Sequence, residues 1–430
     1  MLTHILRWIG MRKRNEGGKG LESHIIPRRQ HQVSRANISK PALKVLYRLR
    51  DAGFQAYLVG GGVRDVLLGL HPKDFDVATD ALPEEVQKLF QNCRLIGRRF
   101  RLAHVHFGSH IIEVATFRAS SPKDNVSNPR LVHSEAGMIL RDNVYGTLID
   151  DVFRRDFTVN ALYYNIDDFS VRDYVDGLKD LKARRLRMIG DANQRYREDP
   201  VRMLRAIRFA AKLNFKISPE TETPIFELGN LVTQVPAARL LDEYIKMFLA
   251  GFGVVSFQLL RHYRLFRILF PETSRSLDGK NRTLVEGFIT NALKDTDSRV
   301  REARPVALPF LLAAFLWYPM QEEARRLMAE GLTDVQAFYE ASTLVLQRQQ
   351  SAVALSRRLV LAIREIWTLQ VRFSKRVGKR ALQVYAHPRF RAGFDFLCLR
   401  AASGEREVQK VATWWKQFVE ANDEHKLRRR

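Results

Sequence analysis

The stretch Leu58-Val59-Gly60-Gly61-Gly62-Val63-Arg64-Asp65, followed by Asp74-Phe75-Asp76, decides how this chain is interpreted. An apolar run that enters three glycines predicts a strand ending in a turn, where the backbone can approach a phosphate closely because no Cβ intervenes. Alternation along a following strand would place Asp74 and Asp76 on one face and Phe75 on the other. Two carboxylates that close repel each other. The arrangement makes sense if hard cations lie between the carboxylates and a triphosphate. The combination indicates phosphate chemistry, whereas an Asp-x-Asp alone is more often an exposed pair on a surface strand.

The composition describes a protein with real hydrophobic cores. The chain has 430 residues, 46% of them apolar, which is enough for two or three domains. It contains no apolar run long enough to cross a membrane. Its two cysteines, Cys93 and Cys398, lie far apart in a sequence without an export signal, so we expect buried free thiols and a cytoplasmic protein.

The charge points to a polyanionic partner. The formal net charge is +24, and in the C-terminal third the basic residues are interleaved with aromatic ones. Cations that follow a backbone and rings that stack on bases suit single-stranded nucleic acid, with a membrane surface as the competing explanation. Many of the rings must belong to a helical core, so the charge is the firmer evidence. The predicted RNA-binding residues are Arg372, Lys375, Arg376, Lys379 and Arg380.

The spacing of apolar residues changes once along the chain and predicts an α+β fold. Residues 1–35 are polar, basic and aperiodic, and we expect a disordered leader. Ser39 precedes an amphipathic helix, and the part up to about residue 173 alternates short strands with a helix over 83–90, which predicts a small mixed sheet. After about residue 200 the spacing is helical to the end. The predicted strands are Ala56–Val59, Phe75–Ala78, His104–Phe107, Ile111–Ala115 and Ala161–Tyr164.

A third carboxylate, Glu113, lies on one of these strands, between Ile112 and Val114. It points at the aspartate pair if the two strands are neighbours. Three carboxylates on adjacent strands can hold two Mg²⁺ ions, which activate an attacking hydroxyl and neutralise a triphosphate. Taken alone, Glu113 would be a solvent-facing strand residue.

The order of these motifs resembles the class II nucleotidyltransferases, the family of the bacterial CCA-adding enzymes and bacterial poly(A) polymerases. The similarity rests on Gly-Gly-Val-Arg-Asp (61–65), Asp-Phe-Asp (74–76), Glu113, Arg-Arg-Asp-Phe-Thr-Val-Asn-Ala-Leu (154–162) and Glu-Asp-Pro-Val-Arg-Met-Leu-Arg (198–205). It implies that Asp74, Asp76 and Glu113 bind two Mg²⁺ ions and that Gly61, Gly62 and Arg64 hold the triphosphate of ATP. It assigns the sugar and phosphates of the incoming nucleotide to Arg155, Asp156 and Asn160, and it includes Arg205 in the nucleotide site.

Asp199 and Arg202 would share a face if both were on one helix, because they are three residues apart. An intrahelical ion pair of ~0.3 kcal/mol is the ordinary explanation. The functional one is an edge that pairs with a base: the carboxylate accepts from an amino group and the guanidinium donates to the adjacent ring nitrogen. Such an edge accepts adenine and cytosine but rejects guanine and uracil, and it does not distinguish A from C.

The resemblance implies three parts: a nucleotidyltransferase head over 36–180, a helical neck with the base-recognition helix over 181–250, and a helical RNA-binding body over 251–430 that ends in the short basic tail Arg428–Arg430. Within the family, the segment Leu95–Val105 and C-terminal motifs such as His387-Pro388-Arg389-Phe390-Arg391 are similar to the poly(A) polymerase branch. We therefore expect template-independent addition of AMP to single-stranded RNA 3′ ends, with the RNA-decay machinery as a further partner. CCA addition to tRNA is the alternative, and a catalytically inactive RNA-binding protein is another, against which the intact acids argue.

Overall fold

The computed structural model describes residues 24–97, 101–119, 131–133, 139–142 and 144–427, although the side chains of 131–142 and 423–427 are not described. The chain forms two compact units, Met1–Leu228 and Gly229–Arg430. The boundary between the two units falls within the range predicted for the neck, 181–250. Within the described residues, no helix has both the length and the apolar character that a membrane crossing needs.

The first unit is built on an eight-stranded sheet in the order β1-β10-β9-β2-β3-β6-β5-β4. Neighbouring strands are antiparallel except β3 and β6, so the sheet is mixed, as predicted, but larger than the five strands expected. Two further pairs of strands, β7 with β8 and β11 with β12, form separate two-stranded sheets. The described strands of the first unit are β1 His24–Ile26, β2 Ala56–Val59, β3 Asp76–Thr79, β4 Cys93–Ile96, β5 Leu102–Phe107, β6 His110–Thr116, β7 Leu131–His133, β8 Ile139–Asp142, β9 Leu162–Asn165, β10 Val171–Asp173, β11 Arg185–Leu186 and β12 Lys216–Ile217.

The predicted disorder over 1–35 is wrong for its last part. Strand β1 pairs antiparallel with β10, and Ile26 is buried, so an edge of the sheet depends on this segment. The sequence around β1 is polar, so its composition did not predict this three-residue strand, which pairs with β10. The rest of the leader, residues 1–23, lies outside the described residues, as do Arg98-Arg99-Phe100 and the tail Arg428–Arg430.

Helices surround the sheet of the first unit. Ser39 caps the first of them as predicted, since its hydroxyl accepts a hydrogen bond from the Ala42 amide. A short 3-10 turn, Thr158–Asn160, precedes β9. The helices are α1 Lys40–Asp51, α2 Gly61–Leu67, α3 Pro83–Leu89, α4 Leu148–Arg154, α5 Gly177–Lys182, α6 Ala192–Glu198, α7 Val201–Leu213 and α8 Pro219–Leu228.

The described part of the second unit is helical, as the spacing predicts. Its aromatic residues mostly form core: Trp367 and Phe373 are fully buried, and Phe390 packs with Trp415. Cys93 of the first unit is a buried free thiol as expected, whereas Cys398 of the second is only partly buried. The helices are α9 Ala237–Phe248, α10 Gly253–His262, α11 Phe266–Leu269, α12 Pro271–Asp278, α13 Arg282–Arg301, α14 Leu308–Ala329, α15 Asp334–Ala352, α16 Arg357–Arg372, α17 Lys379–Tyr385, α18 Phe390–Ala402 and α19 Arg406–Leu427.

Candidate active site

The register of the sheet brings two of the three predicted acids together. Asp76 at the start of β3 is the direct cross-strand partner of Glu113 on β6, which confirms the expected neighbourhood of the two strands. Directly opposed residues lie on the same face. On the other side of Glu113, His104 of β5 is its register partner, and its Nε2 lies 3.4 Å from Glu113 Oε1.

Asp74 departs from the prediction. The strand begins at Asp76, so Asp74 lies in the preceding loop and the alternation of a strand does not orient it. Across the described residues, no three His, Cys, Asp or Glu side chains already converge on one point that could hold a metal ion. The carboxylates of Asp76 and Glu113, with Asp74 two residues upstream, still form a donor set of hard oxygens that suits Mg²⁺.

The electrostatics of Asp76 favour a bound cation. Its side chain reaches solvent, but the protein surrounds it on most sides. Loss of hydration, then the charge of Glu113, and to a smaller extent that of Asp74, raise the pKa of Asp76 to about 6, while Arg155 opposes the shift. An arrangement of acids that repel one another is what a divalent cation would relieve.

The glycine turn lies beside these acids, and its key residue is Gly60. Its φ of 72° and ψ of −135° belong to a region that L-residues rarely adopt. Gly61 and Gly62, which the sequence analysis selected, open helix α2 with helical backbone. A Cβ placed on Gly60 would lie 3.6 Å from Arg155 Nη1 and 3.8 Å from Asp76 Oδ2. The turn, the acid and the guanidinium therefore meet at one point.

Arg155 is held from behind by two residues that sequence analysis missed. Its Nε donates to the hydroxyl of Tyr163 at 2.6 Å, and its Nη2 donates to Asp151 Oδ2 at 2.9 Å. The Tyr163 hydroxyl in turn donates to the same Asp151 oxygen at 2.6 Å. Arg155 Nη1 has no hydrogen-bond partner among the described residues and remains on the side of Gly60 and Asp76.

Arg64 occupies a different place from the one expected. Its guanidinium is buried, with the side chain 2% exposed, and it donates to Asp65 through Nε and Nη2 and to Asn160 through Nη1. A guanidinium so enclosed does not reach a phosphate in solvent. In this arrangement Arg64 lies behind the glycine turn, and its contact with a triphosphate stays a prediction.

Asn160 and Asp156 continue this network towards α7. Asn160 Nδ2 donates to Asp156 Oδ1, and Asp156 Oδ2 accepts from Arg205 Nε at 2.7 Å. Burial alone would raise the pKa of Asp156, but Arg205 and the hydrogen bonds lower it well below its usual range. The network closes at Lys212, also on α7, whose Nζ donates to Asp65 at 3.0 Å. The fold thus brings Asp156, Asn160 and Arg205 together, and their contacts with a nucleotide stay a prediction. Asp65 and Lys212 were missed.

Asp199 and Arg202 do not share a helix. Asp199 ends α6 in extended backbone, and α7 begins only at Val201 after Pro200, which interrupts the helical pattern. Arg202 Nη1 donates to the Arg195 carbonyl at 2.8 Å and forms an ion pair with Glu198 at 3.1 Å. The predicted pair therefore sits at a junction between two helices, with Arg202 oriented by Glu198.

The predicted RNA-binding cluster belongs to the second unit. Arg372, Lys375, Arg376, Lys379 and Arg380 are all exposed, between the end of α16 and the start of α17. Val377, at the centre of this loop, is 83% exposed. The segment is an exposed cationic surface, and the neighbouring rings of Phe373 and Phe390 are buried and so are not available for stacking on bases.

Some of the missed residues had a sequence signal. Gly60 stands in the same glycine run as its neighbours, Asp65 follows Arg64, and Glu198 opens the motif that contains Asp199. Tyr163 lies on a predicted strand without any polar pattern around it. Asp151 and Lys212 carry no local mark at all, because only the tertiary fold gives them partners.

Three family models match the chain: "Poly A polymerase head domain" over residues 56–187, "Probable RNA and SrmB- binding site of polymerase A" over 214–277 and "Polymerase A arginine-rich C-terminus" over 330–429. The Poly(A) polymerase I of Salmonella typhi is 52% identical over 92% of this chain and 85% of its own length. A CCA-adding enzyme of Lactobacillus gasseri is 37% identical over 51% of this chain and 52% of its own. Among solved structures, the Bacillus stearothermophilus CCA-adding enzyme in complex with CTP shares the fold, with a TM-score of 0.57 at 23% identity over 89% of this chain and 83% of that one.

Proposed function

Because the chain belongs to the poly(A) polymerase family, we propose that it adds AMP from ATP to the 3′ ends of RNA without a template. The observation that carries this proposal is the extent of the similarity. The relatives that match nearly the whole chain are named poly(A) polymerases, whereas the CCA-adding relatives match about half of it. The family model "Polymerase A arginine-rich C-terminus" also matches residues 330–429 of the second unit, outside the shared catalytic motifs.

In the proposed reaction the 3′-hydroxyl oxygen of the RNA attacks the α-phosphorus of ATP. A new phosphodiester bond forms, the bond from the α-phosphorus to the bridging oxygen breaks, and pyrophosphate leaves while the hydroxyl proton passes to solvent. Gly60 leaves room for the phosphates at the turn, and Arg155 Nη1 faces that space as a donor. Asp74, Asp76 and Glu113 would hold magnesium, which at such sites acidifies the attacking hydroxyl and neutralises phosphate charge.

The base would be recognised at the junction of α6 and α7. Glu198 and the Arg195 carbonyl hold the Arg202 guanidinium in one orientation, which reduces the entropy lost when it donates to a base. Asp199 in the extended link supplies the acceptor beside it. This edge suits adenine, whose amino group adjoins a ring acceptor, and leaves guanine with unpaired groups at ~1–3 kcal/mol each.

The exposed cluster from Arg372 to Arg380 would bind the phosphates of the RNA backbone. Contacts of this kind do not depend on sequence, as the repeated addition of one nucleotide requires. We propose cytoplasmic RNA processing and decay as the setting of the activity.

The test is extension of an unstructured RNA oligonucleotide with Mg²⁺ and one nucleotide at a time. Long ladders with ATP alone are expected, and Asp76→Ala should abolish them while binding RNA as tightly as the wild type. Glu220→Gln, an exposed acid on α8, is the matched control and should extend normally. Short CTP-dependent addition confined to tRNA would show a CCA-adding enzyme instead, and RNA binding without incorporation would show an inactive binder.

A further inference from the structure

Two fully buried tyrosines stand side by side on β9 but differ in their surroundings. Tyr163 and Tyr164 are both 0% exposed, and they point to opposite faces of the sheet. The hydroxyl of Tyr164 has no hydrogen-bond partner in the described part of the chain, whereas that of Tyr163 bonds both Asp151 and Arg155. A buried polar group normally has hydrogen-bond partners, and Tyr163 has them while Tyr164 does not. The bonded hydroxyl lies on the face of the sheet that carries the acids.

The register places this contact next to the candidate active site. Tyr163 is the cross-strand partner of Val59 on β2, and Val59 is the partner of Asp76 on β3. The tyrosine and the acid therefore lie in one row, on one face, with a single strand between them. Gly60 directly follows Val59, so the phenol supports the sheet immediately behind the glycine turn.

The three groups form a closed triangle. The Tyr163 hydroxyl donates its proton to Asp151 Oδ2, and its oxygen accepts a hydrogen bond from Arg155 Nε. Asp151 Oδ2 also accepts from Arg155 Nη2. Burial raises the pKa of Tyr163 well above its usual value, so the phenol keeps the proton that it donates. Burial opposes the charge of Asp151, but Arg155 and Tyr163 outweigh it and lower its pKa. With Nε and Nη2 both engaged, the guanidinium has one direction left, and Nη1 points to Gly60 and Asp76.

We propose that Tyr163 and Asp151 are positioning residues for the nucleotide's triphosphate: they fix Arg155 so that Nη1 donates to a phosphate held between Gly60 and Asp76. This inference rests on the proposed function, since it names how that site holds its substrate. Neither residue touches the ligand. Their effect is to keep a charged donor aimed before the ligand arrives, which avoids the cost of ordering it on binding.

The test compares Tyr163→Phe with Tyr164→Phe in the full-length protein with Mg²⁺. Each variant removes one buried hydroxyl from adjacent positions of the same strand. Calorimetric titration with ATP, inorganic tripolyphosphate and adenosine separates the phosphates from the base. For Tyr163→Phe we expect Kd to rise about tenfold for ATP and tripolyphosphate and to stay unchanged for adenosine, with KM for ATP raised more than kcat is lowered. Tyr164→Phe should match the wild type with all three ligands.

A double-mutant cycle with Arg155→Met then tests the route of the effect. If Tyr163 acts through Arg155, adding Tyr163→Phe to Arg155→Met changes the tripolyphosphate affinity no further. The proposal is overturned if Tyr163→Phe behaves like Tyr164→Phe, if adenosine binding weakens as much as tripolyphosphate binding, or if the loss persists in the Arg155→Met background. Should Arg155→Met not fold, the comparison of tripolyphosphate with adenosine still decides. Failure of the wild type to extend RNA with ATP would instead refute the proposed function.

Discussion

Lys212 Nζ lies 3.0 Å from Asp65 Oδ2 and so ties the last turn of α7 to the glycine-turn helix α2, across 147 residues of sequence. The other Asp65 oxygen accepts from Arg64, which donates to Asn160, which donates to Asp156, which accepts from Arg205 on α7. The guanidinium groups of Arg64 and Arg205 both lie over the ring of Phe209 on the same helix, at 5.1 and 5.3 Å from its centroid. The helix that carries Arg202 is therefore fixed to the turn that carries Gly60 at two points.

Asp65→Asn should destabilise the protein severely. It removes the charge opposite Arg64, whose side chain is 2% exposed, and an unpaired buried guanidinium costs about 3 kcal/mol or more. Asp51→Asn is the matched control, because Asp51 also follows its arginine partner in sequence but is 63% exposed, and an exposed pair contributes less than about 1 kcal/mol. We expect the thermal midpoint of the first unit to fall by about 6 °C or more for Asp65→Asn and hardly at all for Asp51→Asn. Equal shifts would mean that Asn160 alone satisfies Arg64.

Gly60→Ala should impair both stability and nucleotide binding. The positive φ of 72° strains any L-residue by about 1–3 kcal/mol, and the added methyl would contact both Arg155 Nη1 and Asp76 Oδ2 and occupy the space proposed for a phosphate. Gly69→Ala is the control, since Gly69 has a similar φ of 74° but no atom within 4 Å of the new Cβ. Thermal unfolding should report a loss for both variants, and calorimetric titration should report weakened ATP binding only for Gly60→Ala. Unchanged ATP affinity in Gly60→Ala would separate the turn from the nucleotide site.

Asp76→Asn should stabilise the metal-free protein at neutral pH. The pKa of Asp76 in the folded protein is raised to about 6, so its ionisation is harder in the folded than in the unfolded state, and the cost appears as pH rises through this range. We expect Asp76→Asn to have the higher thermal midpoint at about pH 7.5 and to approach the wild type below about pH 3, where the carboxyl is protonated in the folded and the unfolded state. Added Mg²⁺ should raise the midpoint of the wild type and not that of the variant. A variant less stable than the wild type at both pH values would contradict this account of the acid site.

Arg202→Ala should lose base selection as well as speed. Loss of one donor to adenine leaves the ATP complex weaker by about 1.4 kcal/mol, a tenfold fall in incorporation. Glu198→Gln should have a smaller effect in the same direction, because Arg202 keeps the Arg195 carbonyl. Arg197→Ala, an exposed neighbour on α6, is the control. Competition between ATP and GTP in single-nucleotide addition measures the selectivity, and full speed with full ATP preference in Arg202→Ala would leave the residue as a structural ion pair.

Neutralising Lys375, Arg376, Lys379 and Arg380 together should weaken RNA binding and flatten its dependence on salt. For a single strand, the log-log slope of affinity against salt falls by about 0.7 for each phosphate that the protein no longer neutralises. Single-nucleotide addition at saturating primer should survive, because the catalytic acids belong to the first unit. The control neutralises four exposed lysines of that unit, Lys40, Lys44, Lys88 and Lys179. If only the control changed the slope, the RNA path would follow the first unit and not this cluster.

What the sequence alone determined is local. Alternation located the strands of Asp76 and Glu113, the helical spacing after about residue 200 predicted the helices that end the first unit and form the described part of the second, and the motif order identified the family. The capping of α1 by Ser39 follows from hydrogen bonds within a few residues, which sequence patterns report directly. These features depend on contacts between near neighbours in the chain.

What only the tertiary structure decided is which distant groups meet and which side chains are buried. Nothing near Arg64 predicts that it is enclosed by Asn160, and nothing near Asp151 marks it as a partner of Tyr163. Strand β1 lacked a pattern of its own because its stability comes from β10, and the single helix assumed for Asp199 and Arg202 is two helices, one ending at Glu198 and the next beginning at Val201. Register and burial arise when the whole chain packs, so the positions of Arg64, Arg155 and Lys212 follow from the fold and not from the residues beside them.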